Sequence, residues 1–336
     1  MTKTKIKICF YARVPDQKLF ETVNFYSNDI KILRELNYEV ILSNNYKNIP
    51  SDCDLYFIWW WSSGIVPLIK AKLIGKPSIM IGNLHLRDKS KQGYSDRPFY
   101  IKLFIKYCLR NSDVQITTSK VEHEDVKLFR ARNPVLIYHA IDESKYFFSQ
   151  CNREKYILAI TRLLKLNIER KRLLETLEAF RIVLREFSDY NFIIVGRKED
   201  DGYADIIAKI NSLELQDKVI VLGSISEEEK IKYLKKCMVF VQPTTYEGFG
   251  MAIAESMACG TPVVTSPNGA VPEVANDLAV YVNQDSPEDI ARGIMHLLKD
   301  KILYDKLSTE GSKRIGKLFS IEKRKEELQK LLGSLL

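Results

Sequence analysis

The sequence predicts an α/β protein built from two doubly wound parallel sheets. Short apolar runs rich in β-branched and aromatic residues alternate with amphipathic stretches along most of the chain. This alternation, with strands that are apolar almost throughout, is typical of parallel sheets covered by helices on both faces. The 336 residues also suffice for two domains of about 150 residues each.

Twelve strands are predicted, and because one open sheet of that width would be unusual, two sheets are favoured. In chain order the strands are Ile6–Tyr11, Glu39–Leu42, Leu55–Trp60, Ser78–Ile81, Val114–Thr117, Val135–Ile137, Tyr156–Thr161, Phe192–Val195, Val219–Leu222, Val239–Gln242, Val263–Thr265 and Ala279–Val282. Helical patterns lie between them at Ser27–Leu36, Ile65–Leu73, Pro98–Leu109, Glu122–Phe129, Leu173–Arg185, Tyr203–Leu213, Glu227–Lys236, Met251–Cys259 and Pro287–Lys299.

The polar stretch Asp142–Glu154 separates the sixth strand from the seventh. We therefore expect one domain over residues 1–148 and a second over residues 149–316. A charged helix over residues 317–336 is expected to cross back onto the first domain. Ligands bind at the carboxyl ends of strands in such sheets, so the prediction is a ligand site in a cleft between two facing domains.

The composition excludes several classes of protein. With 46% hydrophobic and 28% charged residues, the chain is neither low-complexity nor disordered. Its longest uncharged stretch, Leu55–Ile69, has 15 residues, whereas a membrane span needs about 20. No signal-peptide pattern opens the sequence, and the six cysteines and four histidines lack metal-ligand spacing. We expect a cytoplasmic protein with free thiols, or one peripheral at the inner membrane surface.

One string combines features of a phosphate- and sugar-binding site. Residues 239–264 read VFVQPTTYEGFGMAIAESMACGTPVV: a buried strand, a glycine-rich loop, a short helix and another buried strand. Gly248 and Gly250 let the loop backbone approach a ligand, and the N–H groups that open the helix favour a phosphate. Glu247 and Glu255 suit sugar hydroxyls, because a carboxylate only accepts hydrogen bonds. The candidate donor-site residues are Glu247, Gly248, Phe249, Gly250, Met251 and Glu255.

Taken singly, the two glycines also fit an ordinary turn, and Glu255 fits the surface of a helix. Together, Glu-Gly-Phe-Gly, a second Glu eight residues after the first, and Ala-Cys-Gly-Thr-Pro-Val-Val resemble the signature of glycosyltransferase family 4. The resemblance implies the GT-B fold of two Rossmann-like domains. It also implies retaining sugar transfer, with Glu247 and Glu255 as the family's E-x7-E pair. The resemblance is strong from Arg162 to Glu273 and looser before it.

The same resemblance assigns two cations to the donor diphosphate. Arg162 follows the predicted strand Tyr156–Thr161, and Lys171 precedes a helix reading LLETLEAF, as an arginine and a lysine do in the family. Fixed cations stabilise the negative charge on a departing nucleoside diphosphate. With both present we expect no metal ion and no cofactor, and a UDP- or GDP-linked sugar as donor rather than an ADP-linked one.

The N-terminal half departs from the family's pattern. The Gly-Gly loop after the first strand is missing, and Ala12-Arg13 stand there, so Arg13 either replaces backbone amides at the ligand or faces solvent. The family's acceptor-side histidine is expected at Asn83, and His85 follows two residues later. His85 is the catalytic candidate because imidazole exchanges protons near neutral pH, with a structural histidine as the alternative. His139, where the family often has asparagine, is an acceptor-site candidate.

Trp59-Trp60-Trp61 ends a strand at the sheet edge where a ligand is expected. Indole rings stack on sugars and lipid chains, so Trp60 and Trp61 are acceptor-site candidates. Neighbouring residues of a strand point to opposite faces, so at least one of the three belongs to the core.

The formal charge of +8 comes from one segment. Ten basic and two acidic residues lie in residues 64–110, and the rest of the chain is neutral. Within it, the helix predicted near Pro98–Arg110 places Lys102, Lys106 and Arg110 four apart beside aromatic residues, which is typical of a helix on an anionic membrane. A solvated basic face above an apolar core stripe is the alternative. Nucleic acid is not expected, because no nucleic-acid-binding motif accompanies the charge.

The sequence therefore predicts a retaining, metal-independent hexosyltransferase. Its donor is a nucleoside-diphosphate sugar, and its acceptor is a saccharide or lipid-linked saccharide in cell-surface glycan synthesis. The alternatives are a non-catalytic sugar-nucleotide-binding protein, which the missing Gly-Gly loop favours, and another GT-B enzyme such as an epimerase or a phosphorylase.

Overall fold

The computed structural model describes residues 5–88, 93–149, 152–199 and 202–336. The chain forms two compact units. Unit 1 comprises the residues up to Leu86, Gly93–Asp142 and the C-terminal Phe319–Leu336, and unit 2 is formed mainly by Glu143–Leu318. Each unit contains one parallel sheet of six strands.

The sheet of unit 1 has the strand order β2-β1-β3-β4-β5-β6. Its strands are β1 (Lys7–Tyr11), β2 (Glu39–Ser43), β3 (Leu55–Trp59), β4 (Ser78–Ile81), β5 (Val114–Thr117) and β6 (Pro134–Leu136). Its first five helices are α1 (Leu19–Thr22), α2 (Asn24–Glu35), α3 (Ile65–Leu73), α4 (Phe99–Asn111) and α5 (Lys120–Leu128).

The sheet of unit 2 has the order β12-β11-β10-β7-β8-β9. Its strands are β7 (Glu154–Ile160), β8 (Asn191–Val195), β9 (Val219–Leu222), β10 (Cys237–Gln242), β11 (Val263–Thr265) and β12 (Val280–Tyr281). Its helices are α6 (Lys165–Arg170), α7 (Leu173–Val183), α8 (Gly202–Ser212), α9 (Glu227–Lys236), α10 (Met251–Ala258), α11 (Val271–Ala275), α12 (Pro287–Lys299) and α13 (Lys301–Leu318). The last helix, α14 (Ile321–Gly333), belongs to unit 1.

Both faces of the sheet in unit 1 are covered, as its continuously apolar strands require. Every residue of β3 is buried, and its side chains alternate between two cores. Phe57 and Trp59 lie in the core that α2 and α14 cover, whereas Tyr56 and Ile58 lie in the core that α3, α4 and α5 cover. Because both faces of this sheet are buried, its strands show no alternation of polar and apolar residues in the sequence.

A buried ion pair holds α14 on unit 1. Arg324 donates from Nε and Nη2 to the two carboxylate oxygens of Asp29 on α2, at 2.6 and 3.0 Å, and from Nη1 to the carbonyl of Ile137 at 3.1 Å. The side chains of Arg324 and Asp29 are 2% and 0% exposed. Such a charge pair is tolerated inside a protein only because nearly every donor and acceptor is satisfied.

All twelve predicted strands are confirmed, with bounds within two residues of those observed. Four helices were not predicted: α1, α6, α11 and α13. The first three are only four to six residues long, which is too short for a helical period to be visible. Helix α13 buries only Leu307, Ser308, Gly311 and Ile315, so its apolar stripe is weak. Among the described residues, no helix combines the length and the hydrophobicity that crossing a membrane requires.

Candidate active site

The strand order of unit 2 reverses beside β7. Connections run from β7 to β8 and β9 on one side, and the chain then returns to β10 on the other side of β7. The carboxyl ends of β7 and β10 are therefore the topological switch point, where open α/β sheets bind ligands. The loop after β10 carries Glu247, and α6, which follows β7, leads directly into Lys171.

Glu247 is held firmly at this point. Its Oε1 accepts a hydrogen bond from Arg170 Nη1 at 3.0 Å and another from Gln242 Nε2 at 3.1 Å. The side chains of Glu247 and Arg170 are only 12% and 11% exposed. Arg170 also donates to the carbonyl of Tyr246 at 2.7 Å, which ties α6 to the loop. A carboxylate fixed in this way keeps one orientation toward a ligand.

Lys171 lies beside the same carboxylate. Its Nζ is 3.8 Å from Glu247 Oε1 and donates to Gln242 Oε1 at 2.9 Å, so Gln242 bridges the two charged groups. Burial lowers the pKa of Lys171 below its usual value, with Glu247 opposing this effect and Arg170 adding to it. A partly buried cation of this kind is well suited to receive an anionic ligand.

The loop after Glu247 approaches neighbouring backbone closely. Gly250, the N-cap of α10, has φ +95°, in the region that favours glycine. Gly269, after β11, has φ +62°, and a Cβ there would lie 2.2 Å from the carbonyl oxygen of Glu247. Phe249 is buried at 4% exposure, and Met251 is the first residue of α10. The two loops therefore pack backbone to backbone, and their N–H groups lie at the same sheet edge as Glu247.

Glu255 lies inside α10 and is 4% exposed. Lys230 of α9 donates to Glu255 Oε2 at 3.0 Å and also pairs with Glu227 at 3.0 Å. Burial opposes the charge on Lys230, but the attraction of Glu255 and Glu227 outweighs it and raises the pKa of this lysine. The ammonium group also lies 5.2 Å from the centre of the Tyr146 ring. Glu255 is therefore positioned by a charged partner.

Arg162 is not among the contacts of Glu247 in the described part of the chain. It donates from Nε and Nη2 to the two carboxylate oxygens of Glu199, at 3.1 and 2.7 Å, and its side chain is 58% exposed. Its role as a diphosphate ligand stays a prediction. The buried arginine of the site is Arg170 instead, eight residues further along the chain.

Unit 1 brings three of the acceptor-site candidates together. Trp60, Trp61 and His85 line a small cavity of about 80 Å³, with Asn83 and Arg97 among its other walls. Trp60 has φ +73° and its indole nitrogen donates to the hydroxyl of Tyr26. Trp61 is 2% exposed and its indole nitrogen donates to Gln115 at 2.8 Å, so it forms part of the core as well as a wall of the cavity.

A buried acid of α5 fixes the turn that carries His85. Glu122 accepts from the backbone N–H groups of Leu84 and His85, at 2.8 and 3.1 Å. His85 itself has φ +51°, an unusual conformation that these two bonds stabilise. Glu122 was not predicted, because its spacing after Ser119 is that of an ordinary helix cap.

The last two candidates lie elsewhere in unit 1. The guanidinium of Arg13 lies over the ring of Tyr46 at 4.9 Å and donates to its hydroxyl at 3.1 Å, at the exposed carboxyl end of β1. His139 is 5% exposed and stacks on Trp59 with ring centres 5.8 Å apart. Burial, with a contribution from Arg324, lowers the pKa of His139 well below its usual value and keeps the ring neutral. Its surroundings are those of a core residue.

In unit 2, three candidate site residues were found only in the structure: Arg170, Gln242 and Lys230. The run Arg170-Lys171-Arg172 is visible in the sequence, but nothing local tells which of the three cations is buried. Gln242 is a polar residue at the end of an otherwise apolar strand, a usable signal for a ligand edge. Among the described residues, no group of three His, Cys, Asp or Glu side chains could hold a metal ion.

Buried cations and a carboxylate thus lie together at the topological switch point of unit 2. The family of glycosyl transferases group 1 matches residues 142–314, just over half of the chain. The protein belongs to this family.

Curated relatives agree with that assignment. An uncharacterized glycosyltransferase of Methanocaldococcus jannaschii is 26% identical over 92% of this chain and 80% of its own length. The N-acetyl-alpha-D-glucosaminyl L-malate synthase of Bacillus anthracis is 23% identical over 77% of this chain and 68% of its own length. The protein is thus a glycosyltransferase.

Solved structures establish the fold as GT-B. HepE of Anabaena, in complex with UDP and glucose, has a TM-score of 0.78 at 16% identity and covers 98% of this chain and 100% of its own. Sucrose-phosphate synthase of Thermosynechococcus elongatus has a TM-score of 0.73 at 21% identity, covering 96% of this chain and 80% of its own. The two six-stranded parallel sheets match the two Rossmann-like sheets of that fold.

Proposed function

We propose that the protein transfers a hexose from a nucleoside-diphosphate sugar to a hydroxyl of a saccharide or lipid-linked saccharide, with retention of the anomeric configuration. One observation carries the proposal: Glu247 is fixed by Arg170 and Gln242 at the switch point of unit 2, with Lys171 beside it. The group combines a hydrogen-bond acceptor for sugar hydroxyls with cations for a diphosphate.

Each residue has a distinct role in the proposed reaction. Lys171 binds the diphosphate and stabilises the negative charge that builds up when the leaving group departs. Glu247 accepts hydrogen bonds from hydroxyls of the hexose, and Glu255 accepts them from the ribose. Arg170 is a positioning residue, since its guanidinium is bonded to Glu247 and to the loop carbonyl of Tyr246. The N–H groups of residues 248–251 add hydrogen bonds to the phosphate.

Retention follows if the acceptor attacks from the side on which the leaving group departs. The bond between C1 of the hexose and the phosphate oxygen breaks, and the acceptor oxygen bonds to C1 on the same face. The acceptor's proton passes to the phosphate oxygen that leaves, so the nucleoside diphosphate is the proton acceptor. Because Lys171 stabilises this charge in the proposed reaction, we propose that no metal ion is needed.

The donor is proposed to be UDP-linked, with GDP as the next choice. The support is that solved structures of similar fold carry UDP or UDP-glucose in their descriptions. A cytoplasmic location fits such a donor, and the five described cysteines are free thiols, which is usual in a reducing compartment.

We expect the correct donor to stabilise unit 2 selectively. At a concentration of about 100 times its Kd, a ligand adds about 2.7 kcal/mol to the folded state, which raises the melting temperature of a unit of this size by about 5–10 °C. The measurement is calorimetric melting with UDP-, GDP- and ADP-glucose. Glu255→Ala should abolish the shift, whereas Glu310→Ala, at an exposed position of α13, should leave it intact.

Binding alone does not distinguish an enzyme from a non-catalytic sugar-nucleotide-binding protein. The absence of a Gly-Gly loop at Ala12-Arg13 favours that second candidate. Prolonged incubation with the donor separates the two: an enzyme hydrolyses it slowly without acceptor, and proton NMR of the first sugar released should show the retained anomer. A clear melting shift with neither hydrolysis nor transfer would establish the binding protein instead.

The lowered pKa of Lys171 predicts the pH dependence of donor capture. As pH rises, this ammonium group loses its proton earlier than an exposed lysine, so kcat/KM for the donor falls on the alkaline side. In Lys171→Arg the side chain stays charged, and the alkaline fall should move out of the accessible range even if the maximal rate is lower. An unchanged alkaline limb in this variant would show that another group titrates.

A further inference from the structure

Helix α4 of unit 1 exposes an apolar face where a soluble helix normally presents polar residues. Its buried side is formed by Ile105, Cys108 and Leu109. On the opposite side, Phe99 is 75% exposed, Tyr100 58% and Leu103 48%. Helix α4 therefore has an apolar side in the core and a second, exposed apolar side at its aromatic end.

The neighbouring helix α3 continues this surface. Helices α3 and α4 bury their inner sides in the same core of unit 1, so both lie on one face of the sheet and their outer sides point away from it. On α3, Leu73 is 82% exposed, Ile69 40% and Val66 38%, at spacings that place them on one side of the helix. The docking face, as we call it, consists of Val66, Ile69, Lys72, Leu73, Phe99, Tyr100, Leu103, Lys106, Tyr107 and Arg110.

The charge of the docking face has one sign. Neither α3 nor α4 contains an aspartate or a glutamate, whereas together they carry five cations: Lys70, Lys72, Lys102, Lys106 and Arg110. Within the described residues, no carboxylate lies in ion-pair range of Lys72, Lys106 or Arg110. Solvated helix surfaces ordinarily mix both signs, so a cationic face without acids favours an anionic partner.

We propose that the docking face binds the surface of an anionic lipid bilayer. The aromatic and aliphatic side chains enter the boundary between headgroups and acyl chains, and the lysines and Arg110 meet lipid phosphates. A second copy of the chain is disfavoured as the partner, because two such faces would bring like charges together with no acid between them. The proposal concerns unit 1 alone and does not rest on the proposed sugar transfer.

The test is co-sedimentation of the full-length protein with phosphatidylcholine vesicles, with or without about 30% phosphatidylglycerol. We expect binding to the anionic vesicles only, weakened by salt. Each cation near such a surface contributes about a fivefold change in partition coefficient, so Lys72→Gln, Lys106→Gln and Arg110→Gln combined should lower binding roughly 100-fold. The matched control, Lys306→Gln, Lys313→Gln and Lys317→Gln on α13, removes the same charge from exposed positions and should retain binding.

A second variant tests the apolar part of the face. Phe99→Ser with Leu103→Ser changes exposed side chains, so folding should be unaffected while vesicle binding falls at least tenfold. Equal binding to neutral vesicles, or full binding by either variant, overturns the proposal. So does a lack of vesicle binding together with a dimer, seen by analytical ultracentrifugation, that the Phe99 and Leu103 changes dissociate. Donor melting shifts measured on the same variants keep this result separate from the proposed transferase function.

Discussion

Lys171→Ala lowers kcat for sugar transfer at least ~100-fold, and Glu247→Ala does the same. A fixed cation at a developing negative charge contributes a few kcal/mol to the transition state, and removing a comparable fixed donor costs about 100- to 1,000-fold in rate. Lys171 lies 3.8 Å from Glu247 Oε1 and is bridged to it by Gln242, so each change disrupts a single connected group. The measurement is the rate of donor turnover at saturating donor.

Two controls separate chemistry from folding. Lys165→Ala removes a nearby lysine whose side chain is 59% exposed, and turnover should stay within about twofold of the wild type, since exposed ion pairs matter little. Glu247→Ala leaves the buried Arg170 without its carboxylate partner, which destabilises the folded state. The double variant Arg170→Ala with Glu247→Ala removes both charges and so avoids an unpaired buried charge. Wild-type turnover in Lys171→Ala or Glu247→Ala would contradict the assignment of this site.

Arg324→Ala destabilises unit 1 by about 3–5 kcal/mol, the cost of leaving one member of a buried charge pair alone. Asp29 is fully buried, and its partner Arg324 lies on α14, in the C-terminal segment Phe319–Leu336 of unit 1. The three tryptophans, at positions 59–61, all lie in unit 1, so their fluorescence during urea unfolding reports this unit selectively. The melting of unit 2 should change much less.

The matched control is Lys325→Ala on the same helix. Its partner is Glu35, the Lys325 side chain is 24% exposed, and the expected loss is below about 1 kcal/mol. A double change, Asp29→Leu with Arg324→Leu, should recover most of the stability, because an apolar pair of similar volume avoids burying charges. If Arg324→Ala lowered the stability of unit 1 as little as Lys325→Ala does, α14 would be held by its apolar side chains alone.

The strands were predictable because their signal is local. Runs such as Leu55–Trp59 and Val114–Thr117 are short, apolar and bounded by turn residues. This is the pattern expected of strands that are buried on both faces of a parallel sheet. The helix ends were also close, since Ser119, Ser226 and Ser286 cap helices through their own side chains. The short helices α1, α6 and α11 were missed because they have too few turns to show a period.

The candidate site was predictable only in part. Glu247, Glu255 and Lys171 were identified from a sequence string and from spacing before a helix, and the structure places all three in unit 2 at or near one sheet edge. Which arginine accompanies them was not predictable. Arg162 and Arg170 both precede α7, but only Arg170, at the end of α6, bonds Glu247, whereas Arg162 bonds Glu199. Helix α6 was itself not predicted.

The sequence by itself determined the two sheets, the glycosyltransferase motif and the location of the excess charge in residues 64–110. Tertiary structure alone decided which side of α4 faces the core. The same helical period that carries Phe99, Leu103 and Tyr107 also carries Ile105, Cys108 and Leu109 on the opposite side, and both sets are apolar. Rotation of the helix about its axis is fixed by packing against α3 and by hydrogen bonds from the side chain of Gln115 on β5 to the carbonyls of Cys108 and Leu109. Those contacts come from distant parts of the chain, so no local pattern encodes them.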